Sequence, residues 1–414
     1  MRVLFFSANV PTFKGKHSYN GAGWVGSIIK HLKDVHGVSI GYVYKGNNWE
    51  IKDVDDIKYY SIPQKENSLF EKVAQFLGGN WKKIEMKSWK YYQHFLEKTV
   101  DDFQPNVLHV FGSEDIFGLV SFVTSKPIVL HIQGILNPYL TAYMPPGFSW
   151  YSYDMILHPS KFYSQVMTHI QWKRQCFREV KILQTVNNYL GRTQWDKIVT
   201  YIYNPTSNYY LGNEILRDEF YTCEIKRNIP DKLTIVSTIS SPLYKGLDVV
   251  LRTAYILKEF LKLDFDWKVY GNIDPKFVES QIEISHSNVN VFICGVAKPE
   301  VLKETILNST VYVHPSYIDN SPNSLCEAQI LGCPVIATNV GGVTSMVKEG
   351  VTGFLVPAND PYQMAFAVKK LFENNKLNTF IGEEAQKVAL VRHNSHEIIS
   401  NLLRVYENIL EFQQ

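Results

Sequence analysis

The sequence predicts two doubly wound α/β domains that face each other across a cleft, and three observations carry that expectation. The chain has 414 residues, more than one ordinary core encloses. Short apolar runs alternate with segments of helical period through both halves, as parallel strands joined by helices require. Between the halves, Asn208 to Pro230 is polar and irregular. The expected division is 1–207 for the first domain and 208–395 for the second, with a helix over 396–414 returning to the first.

In the first half, Arg2–Ala8, Val38–Tyr44, Ile57–Ile62, Asn106–Phe111, Pro127–Ile132 and Gln184–Asn188 read as short buried strands. Gly21-Ala22-Gly23-Trp24-Val25-Gly26 opens the first helix. It is a literal G-x-G-x-x-G, but about a dozen loop residues separate it from its strand, and the next strand ends at Lys45 instead of an acid. A dinucleotide fingerprint has neither feature. The better reading is a turn where backbone approaches a ligand or the other domain.

Lys72–Phe103 is helical with a break at Gly78-Gly79-Asn80, and residues 81–98 mix Trp, Tyr and Phe with lysines. Such a mixture suits peripheral membrane contact. A helix with one core face and a solvated lysine face is the plainer and favoured alternative. His131 stands near the carboxyl end of its strand, where ligands gather in open α/β sheets. Leu136–Ser160, rich in Tyr, Pro and Gly, is expected to be an irregular insertion that carries substrate contacts. Phe162–Leu183 is a long helix bearing Arg178. Arg192 opens the next turn, either as an anion clamp or as a salt-bridge partner of Asp196.

The second half repeats the alternation. Strands are read at Lys232–Ile239, Trp267–Tyr270, Val289–Cys294, Val311–Val313 and Pro334–Thr338. Helices follow Lys245-Gly246 and cover about Pro275–Ile284, Glu300–Leu307, Thr344–Lys348, Pro361–Glu373 and the tail Asn378–Gln414. The densest chemistry lies in His314–Pro357. Asp319 to Ser324 is turn and helix-cap chemistry, and Leu325–Leu331 has helical spacing. Gly341-Gly342 bends the chain after the next strand. Two carboxylates, Asp319 and Glu327, bracket a helix start whose free N–H groups would attract an anion.

Composition narrows the class. An apolar share of 45% with 20% charged residues is that of a water-soluble globular protein. The net charge is +2, but residues 1–200 carry 23 Lys and Arg against 16 Asp and Glu, so the second half is acidic. Five scattered cysteines without metal-site spacing suit a reducing compartment, and Cys294, Cys326 and Cys333 sit in apolar runs as core residues would. No signal peptide or membrane-spanning run is visible, so the expected location is cytoplasmic, at most resting on the inner face of a membrane.

The His314–Pro357 stretch resembles the signature of family 4 retaining glycosyltransferases, which have the GT-B fold of two Rossmann-like domains. That signature has an acid, seven residues, Glu-Ala, a Gly-x-Pro-Val strand and a Gly-Gly turn. Here these are Asp319, Glu327-Ala328, Gly332-Cys333-Pro334-Val335-Ile336 and Gly341-Gly342, with Gly350-Val351-Thr352-Gly353 at the end. The resemblance implies transfer of a hexose-type sugar from a UDP-, GDP- or ADP-sugar to a glycan or lipid-linked hydroxyl acceptor, in bacterial surface polysaccharide or glycoconjugate synthesis. It implies no cofactor and no metal, and it lets the leaving phosphate take the acceptor's proton. No nucleic acid partner is implied.

Carried over by position, Glu327 would hold the ribose hydroxyls and Asp319 the donor sugar. Lys245 and the helix start at Ser324-Leu325 would neutralise the diphosphate, with Asn320, Ser321, Pro322 and Asn323 nearby. Gly295 and Val296 would meet the base, and His131 the reacting carbon. Gly21 and Gly23 would line the phosphates or acceptor from the opposite domain, with Arg178 and Arg192 on the acceptor side. Two positions depart from the signature. The first acid is Asp319 where Glu is usual. No Arg precedes Lys245-Gly246, so hydroxyls such as that of Ser240, Lys245 alone, or a residue elsewhere must meet the phosphate charge. An epimerase, a phosphorylase and a non-catalytic sugar-nucleotide-binding partner are the alternative readings of the same plan.

Overall fold

The structure, a computed structural model, describes residues 1–8, 11, 23–76, 79–148, 159–221 and 227–411. Eight strands form the first sheet: β1 (Arg2–Phe6), β2 (Ser39–Gly46), β3 (Glu50–Val54), β4 (Ile57–Pro63), β5 (Val107–Phe111), β6 (Ile128–His131), β7 (Asn188–Gly191) and β8 (Asn208–Leu211). Their order is β3-β4-β2-β1-β5-β6-β7-β8, parallel throughout except for β3. Six parallel strands form the second: β9 (Leu233–Thr238), β10 (Phe265–Tyr270), β11 (Val291–Gly295), β12 (Val311–His314), β13 (Val335–Thr338) and β14 (Phe354–Val356), in the order β11-β10-β9-β12-β13-β14. Apolar side chains of β1, β5 and β6 are buried on both faces, which explains their unbroken apolar runs.

The chain reverses its direction of winding between β1 and β5 in the first sheet, and between β9 and β12 in the second. At such a switch point the loops leaving the strands part and open a crevice. Both crevices therefore lie at carboxyl ends of strands. The second one carries Lys245, after β9, His314 at the end of β12, and Pro315 to Pro322 after it.

The last helix, Ser395–Glu411, lays Ile398, Leu402, Val405, Tyr406 and Ile409 against Val3, Phe5, Val25 and Ile28 of the first domain. The tail expected from Asn378 is two helices, Asn375–Arg392 and Ser395–Glu411. The break at His393 has local causes. His393 Nδ1 lies 2.8 Å from the Glu214 carbonyl, and Asn394 caps the new helix by accepting from Glu397 N–H.

Several expectations change. β8 pairs with β7, so the first sheet runs past residue 207 to Leu211. It is a half-exposed edge strand with polar neighbours, and it lacks the apolar run that marks a buried strand. β3 was not expected either. It is a polar edge strand joined to β4 by Asp55 and Asp56, both at positive φ as a tight hairpin turn needs. Leu136–Thr141 is helical, so Leu136–Ser160 is not wholly irregular, and residues 149–158 lie outside the described residues. The helix expected at Thr344–Lys348 is one 3-10 turn, Val343–Ser345. Cys294 is exposed, because β11 is an edge strand whose alternate residues face outward.

The aromatic residues of 81–98 face inward. Trp81 packs on Phe177, Trp89 on Phe122 and Phe177, and Phe95 on Trp49, while Tyr92 is buried. The helix Trp81–Phe103 thus presents lysines without an aromatic band. No helix among the described residues is long and apolar enough to cross a membrane.

Candidate functional site

Glycine geometry sets the second crevice. Gly246 has φ +76°, and a Cβ there would fall 2.1 Å from the Pro315 carbonyl oxygen. Only glycine lets the Lys245 loop lie against the loop after β12. Tyr317 N–H donates to the Tyr244 carbonyl at 2.8 Å and ties the two loops. From the other side, Gly341 has φ +49° and would carry a Cβ 2.1 Å from the Asp319 carbonyl oxygen. Gly342 N–H donates to that oxygen at 3.0 Å. The Gly-Gly turn is therefore a backing plate for Asp319.

So placed, Asp319 collects three side-chain partners, and the Asn320 N–H donates to its Oδ1 at 3.0 Å. Lys245 Nζ donates to Oδ2, His314 Nε2 lies 2.9 Å from the same oxygen, and the Tyr139 hydroxyl of the first domain donates to Oδ1 at 3.1 Å. Burial alone would push the Asp319 carboxyl up. The Lys245 ammonium and His314 outweigh it and hold the carboxyl well below the usual carboxylate range. Burial also works against the Lys245 charge, but Asp319 beside it raises its pKa above the ordinary lysine value. Both groups are ionised at neutral pH.

Two further buried pairs line the same wall. Arg217 grips Glu327 through Nε and Nη2, both at 2.7 Å. Burial raises the Glu327 carboxyl, and Arg217 opposes it. Arg192 pairs with Glu214. Arg192 also reaches the carbonyls of Ser321, Ile132 and Gln133 at 3.3–3.5 Å. Burial pushes the Glu214 carboxyl up to about 7 against the pull of Arg192.

The helix Asn323–Ile330 starts at Pro322, and no side chain caps it. Its first N–H groups therefore keep their partial positive charge. Ser321, Pro322, Asn323 and Ser324 line a cavity of about 570 Å³ between the domains. Lys245, Asp319, Glu327, Ser240 and Val296 line it from the second domain, Gln133 and Arg192 from the first, and Glu214 and Arg217 from the connecting segment. That volume is of the size that holds a small organic ligand.

Other expected residues fall elsewhere. Gly295 ends β11 with φ +69°, beside Val296, but is not part of the cavity wall. Leu325 points into the apolar core. Asn320 is wholly buried and turned to the first domain: Thr193 Oγ1 donates to its Oδ1 at 2.7 Å, and its Nδ2 donates to Gln133 O and Asp196 Oδ2, each at 3.0 Å. Its side chain joins the domains, and Asn320 is not among the residues that line the cavity. His131 is buried and is not among the residues that line the cavity; its Nδ1 lies 3.2 Å from His109 Nε2, and burial lowers its pKa well below the usual histidine value. Arg178 binds Glu85 at 2.5 Å and the Glu114 carbonyl at 3.0 Å, inside the first domain. Arg192 pairs with Glu214, and Asp196 accepts only its backbone N–H. Gly21 lies outside the described residues, and Gly23 begins the helix Gly23–Lys33.

Sequence reasoning missed Glu214, Arg217, Gln133 and Tyr139. A signal existed for two of them. Glu214-Ile215-Leu216-Arg217 places two charges around two apolar residues in a stretch otherwise read as a linker, and Ile215 and Leu216 are both buried.

Comparison with known proteins fits this geometry. Residues 224–388 match the family model of glycosyl transferases group 1. A capsular polysaccharide biosynthesis glycosyltransferase of Staphylococcus aureus is 34% identical over 104 residues, 25% of this chain and 27% of that protein. A D-inositol 3-phosphate glycosyltransferase of Paenarthrobacter aurescens is 28% identical over 42% of this chain and 46% of its own length. The chain spans about half or less of the length of the curated relatives it matches. Over whole chains, sucrose-phosphate synthase of Thermosynechococcus elongatus superposes with TM-score 0.69 at 13% identity, covering 99% of each chain. HepE of Anabaena, solved with UDP and glucose, gives 0.64 at 13% identity, covering 99% of this chain and all of its own. The fold is GT-B, with two Rossmann-like domains and a last helix that crosses back to the first.

Proposed function

We propose that this GT-B protein, whose second half matches the group 1 glycosyltransferases, transfers a hexose-type sugar from a nucleoside diphosphate sugar to a hydroxyl acceptor. The reading covers retention of anomeric configuration and no metal requirement. The observation that carries it is the interdomain cavity that joins an uncapped helix start, Lys245 and Glu327. A departing diphosphate needs its growing negative charge met by fixed donors, and the Lys245 ammonium and the helix N–H groups supply them without reorganisation. Glu327, oriented by Arg217, keeps free lone pairs for two ribose hydroxyls. Asp319, ionised and held by Lys245, His314 and Tyr139, fixes the Lys245 ammonium at the cavity wall beside the donor sugar's place.

UDP is the favoured nucleotide, since the HepE structures hold it on the same fold. A surface polysaccharide acceptor is favoured by the likeness to the capsular enzyme and, in fold, to WaaG, a glycosyltransferase involved in lipopolysaccharide biosynthesis. The test is a donor panel with Lys245→Ala and Glu327→Ala. Both variants should lose transfer while keeping the wild-type far-UV circular dichroism. Full activity in either would refute the assignment, and a donor altered without any acceptor would point to an epimerase.

A further inference from the structure

A second buried ion pair stands at the helix start where the diphosphate would sit, and it is built differently from the pair at Asp319. Arg192 follows β7, and its backbone is pinned. Its N–H donates to Asp196 Oδ2 at 3.0 Å, and Thr193 caps the helix Gln194–Tyr203. From there the guanidinium reaches out of the first domain, pairs with Glu214 and lies 3.5 Å from the Ser321 carbonyl. The Asn323 side chain lies beside the Glu214 carboxylate. Ser321 and Asn323 flank Pro322, at which the uncapped helix Asn323–Ile330 starts. Arg192, Glu214, Ser321 and Asn323 all line the cavity.

No Arg precedes Lys245-Gly246, so the second domain is one cation short of the signature. Among the described residues, Arg192 and Arg217 are the arginines that line the cavity. Arg217 is committed, because its Nε and Nη2 hold both oxygens of Glu327 at 2.7 Å. The acid of Arg192 is less well satisfied. Glu214 is 2% exposed, and among the described residues its Oε2 has no hydrogen-bond partner. A buried carboxylate oxygen without a partner keeps its desolvation cost. At Asp319 the cation outweighs burial, whereas at Glu214 burial outweighs Arg192.

We propose that Arg192 is the second cation of the diphosphate site, and that as a nucleoside diphosphate enters, the guanidinium turns from Glu214 to the phosphate oxygens. The proposal rests on the glycosyltransferase reading. A planar guanidinium meets two phosphate oxygens at once, which suits a multiply charged leaving group. Glu214, its partner withdrawn, takes a proton from solvent and stays buried as a neutral acid. Left ionised, it would repel the phosphates from the helix start. Through Arg192 the first domain then helps to stabilise the charge that grows on the leaving phosphate.

Burial pushes the Glu214 carboxyl up to about 7, with the Glu327 charge adding to it and Arg192 and Asn323 opposing. Its other titratable neighbours do not change charge near neutrality. Burial raises the Cys326 thiol to about 11 and lowers His393, whose Nδ1 lies 2.8 Å from the Glu214 carbonyl, to about 3. With Arg192 turned away the Glu214 carboxyl rises further, so binding takes up a proton. Affinity therefore weakens as pH rises above about 7.

The experiment measures UDP, GDP and ADP binding by calorimetry for wild type, Arg192→Gln, Arg192→Lys and Glu214→Gln, with circular dichroism as the check on folding. For a diphosphate that binds wild type, Arg192→Gln should weaken binding roughly 10- to 100-fold, and Arg192→Lys should recover part of the loss. Wild-type Kd should rise about tenfold between pH 7 and 8.5 while that of Glu214→Gln stays flat. At pH 8.5 Glu214→Gln should then bind about tenfold more tightly than wild type. A purely structural bridge gives the reverse, since losing either partner would loosen the site. Wild type alone supplies a further readout: in buffers of different ionisation enthalpy at pH 7.5 it should take up more than about half a proton per diphosphate bound. That readout decides if Glu214→Gln does not fold. Binding by Arg192→Gln within threefold of wild type, a Glu214→Gln no tighter than wild type at pH 8.5, or no proton uptake overturns the proposal. A wild type that binds none of the three diphosphates refutes the parent reading, a separate result.

Discussion

The two walls of the cleft are built by opposite strategies. The donor wall comes from the loops leaving two adjacent strands, β9 and β12, and from one helix start. Its Asp319 and Glu327 each have a cation, and its backbone is fixed by glycines pressed against Pro315 and Asp319. The facing wall takes Gln133 from the loop after β6 and Arg192 from the loop after β7, and Tyr139 of the helix Leu136–Thr141 reaches across to Asp319. Its one cation, Arg192, pairs with Glu214 of the connecting segment. A preorganised wall suits a charged leaving group that must be stabilised in one geometry.

Removing the donor wall's cation should have the largest effect. Lys245→Ala is expected to lower kcat about 10²–10³-fold, and it also leaves the buried Asp319 without its cation, at a cost of up to about 3–5 kcal/mol. The double variant Lys245→Met/Asp319→Asn separates the two effects: thermal stability should recover toward wild type while activity does not. Next comes Glu327→Gln, which weakens one charge-assisted contact of about 1.5–3 kcal/mol, and so should weaken nucleoside diphosphate binding roughly 10- to 100-fold by calorimetry.

Asn320→Ala breaks the seam between the walls. It leaves Thr193, Asp196 and the Gln133 carbonyl without their partner across the interface. Transfer should fall about tenfold, by roughly 1–2 kcal/mol of lost domain alignment, while nucleotide binding changes by less than about threefold. Equal losses in both would place Asn320 on the donor.

A pH titration gives a smaller effect. Asp319 has a depressed folded pKa, so its pairing adds stability above the unfolded carboxylate value near 4 and loses it as pH falls through the folded value. Melting curves between pH 5 and 2 should therefore be flatter for Asp319→Asn than for wild type. Smallest of all, Lys90→Ala on the exposed face of Trp81–Phe103 should shift stability by no more than about 0.5 kcal/mol.

The donor wall was legible in sequence because its constraints are local. A Lys-Gly turn, an acid pair on one helix start and a Gly-Gly turn are read within short windows, and each glycine meets backbone in the structure. Arg217 and Glu327 lie 110 positions apart, and neither residue alone signals the pair. The sequence left open what takes the place of the Arg absent before Lys245. The structure brings Arg192 and Arg217 to the cavity, but each is already paired with an acid. The sequence points to Arg178 and Arg192 on the acceptor side and to His131 at the reacting carbon; packing turns Arg178 and His131 into the first domain, while Arg192 lines the cavity paired with Glu214. Edge strands β3 and β8 escaped because half-exposed strands carry no apolar run.

The central claim is that the interdomain cavity binds a nucleoside diphosphate through Lys245. Thermal unfolding with UDP, GDP and ADP tests it most directly, since a ligand at a hundredfold its Kd adds about 2.7 kcal/mol to the folded state. The account predicts that at least one of the three, with UDP foremost, raises the wild-type Tm, and that the rise disappears in Lys245→Met/Asp319→Asn. No rise with any of them, or an undiminished rise in the double variant, would contradict it.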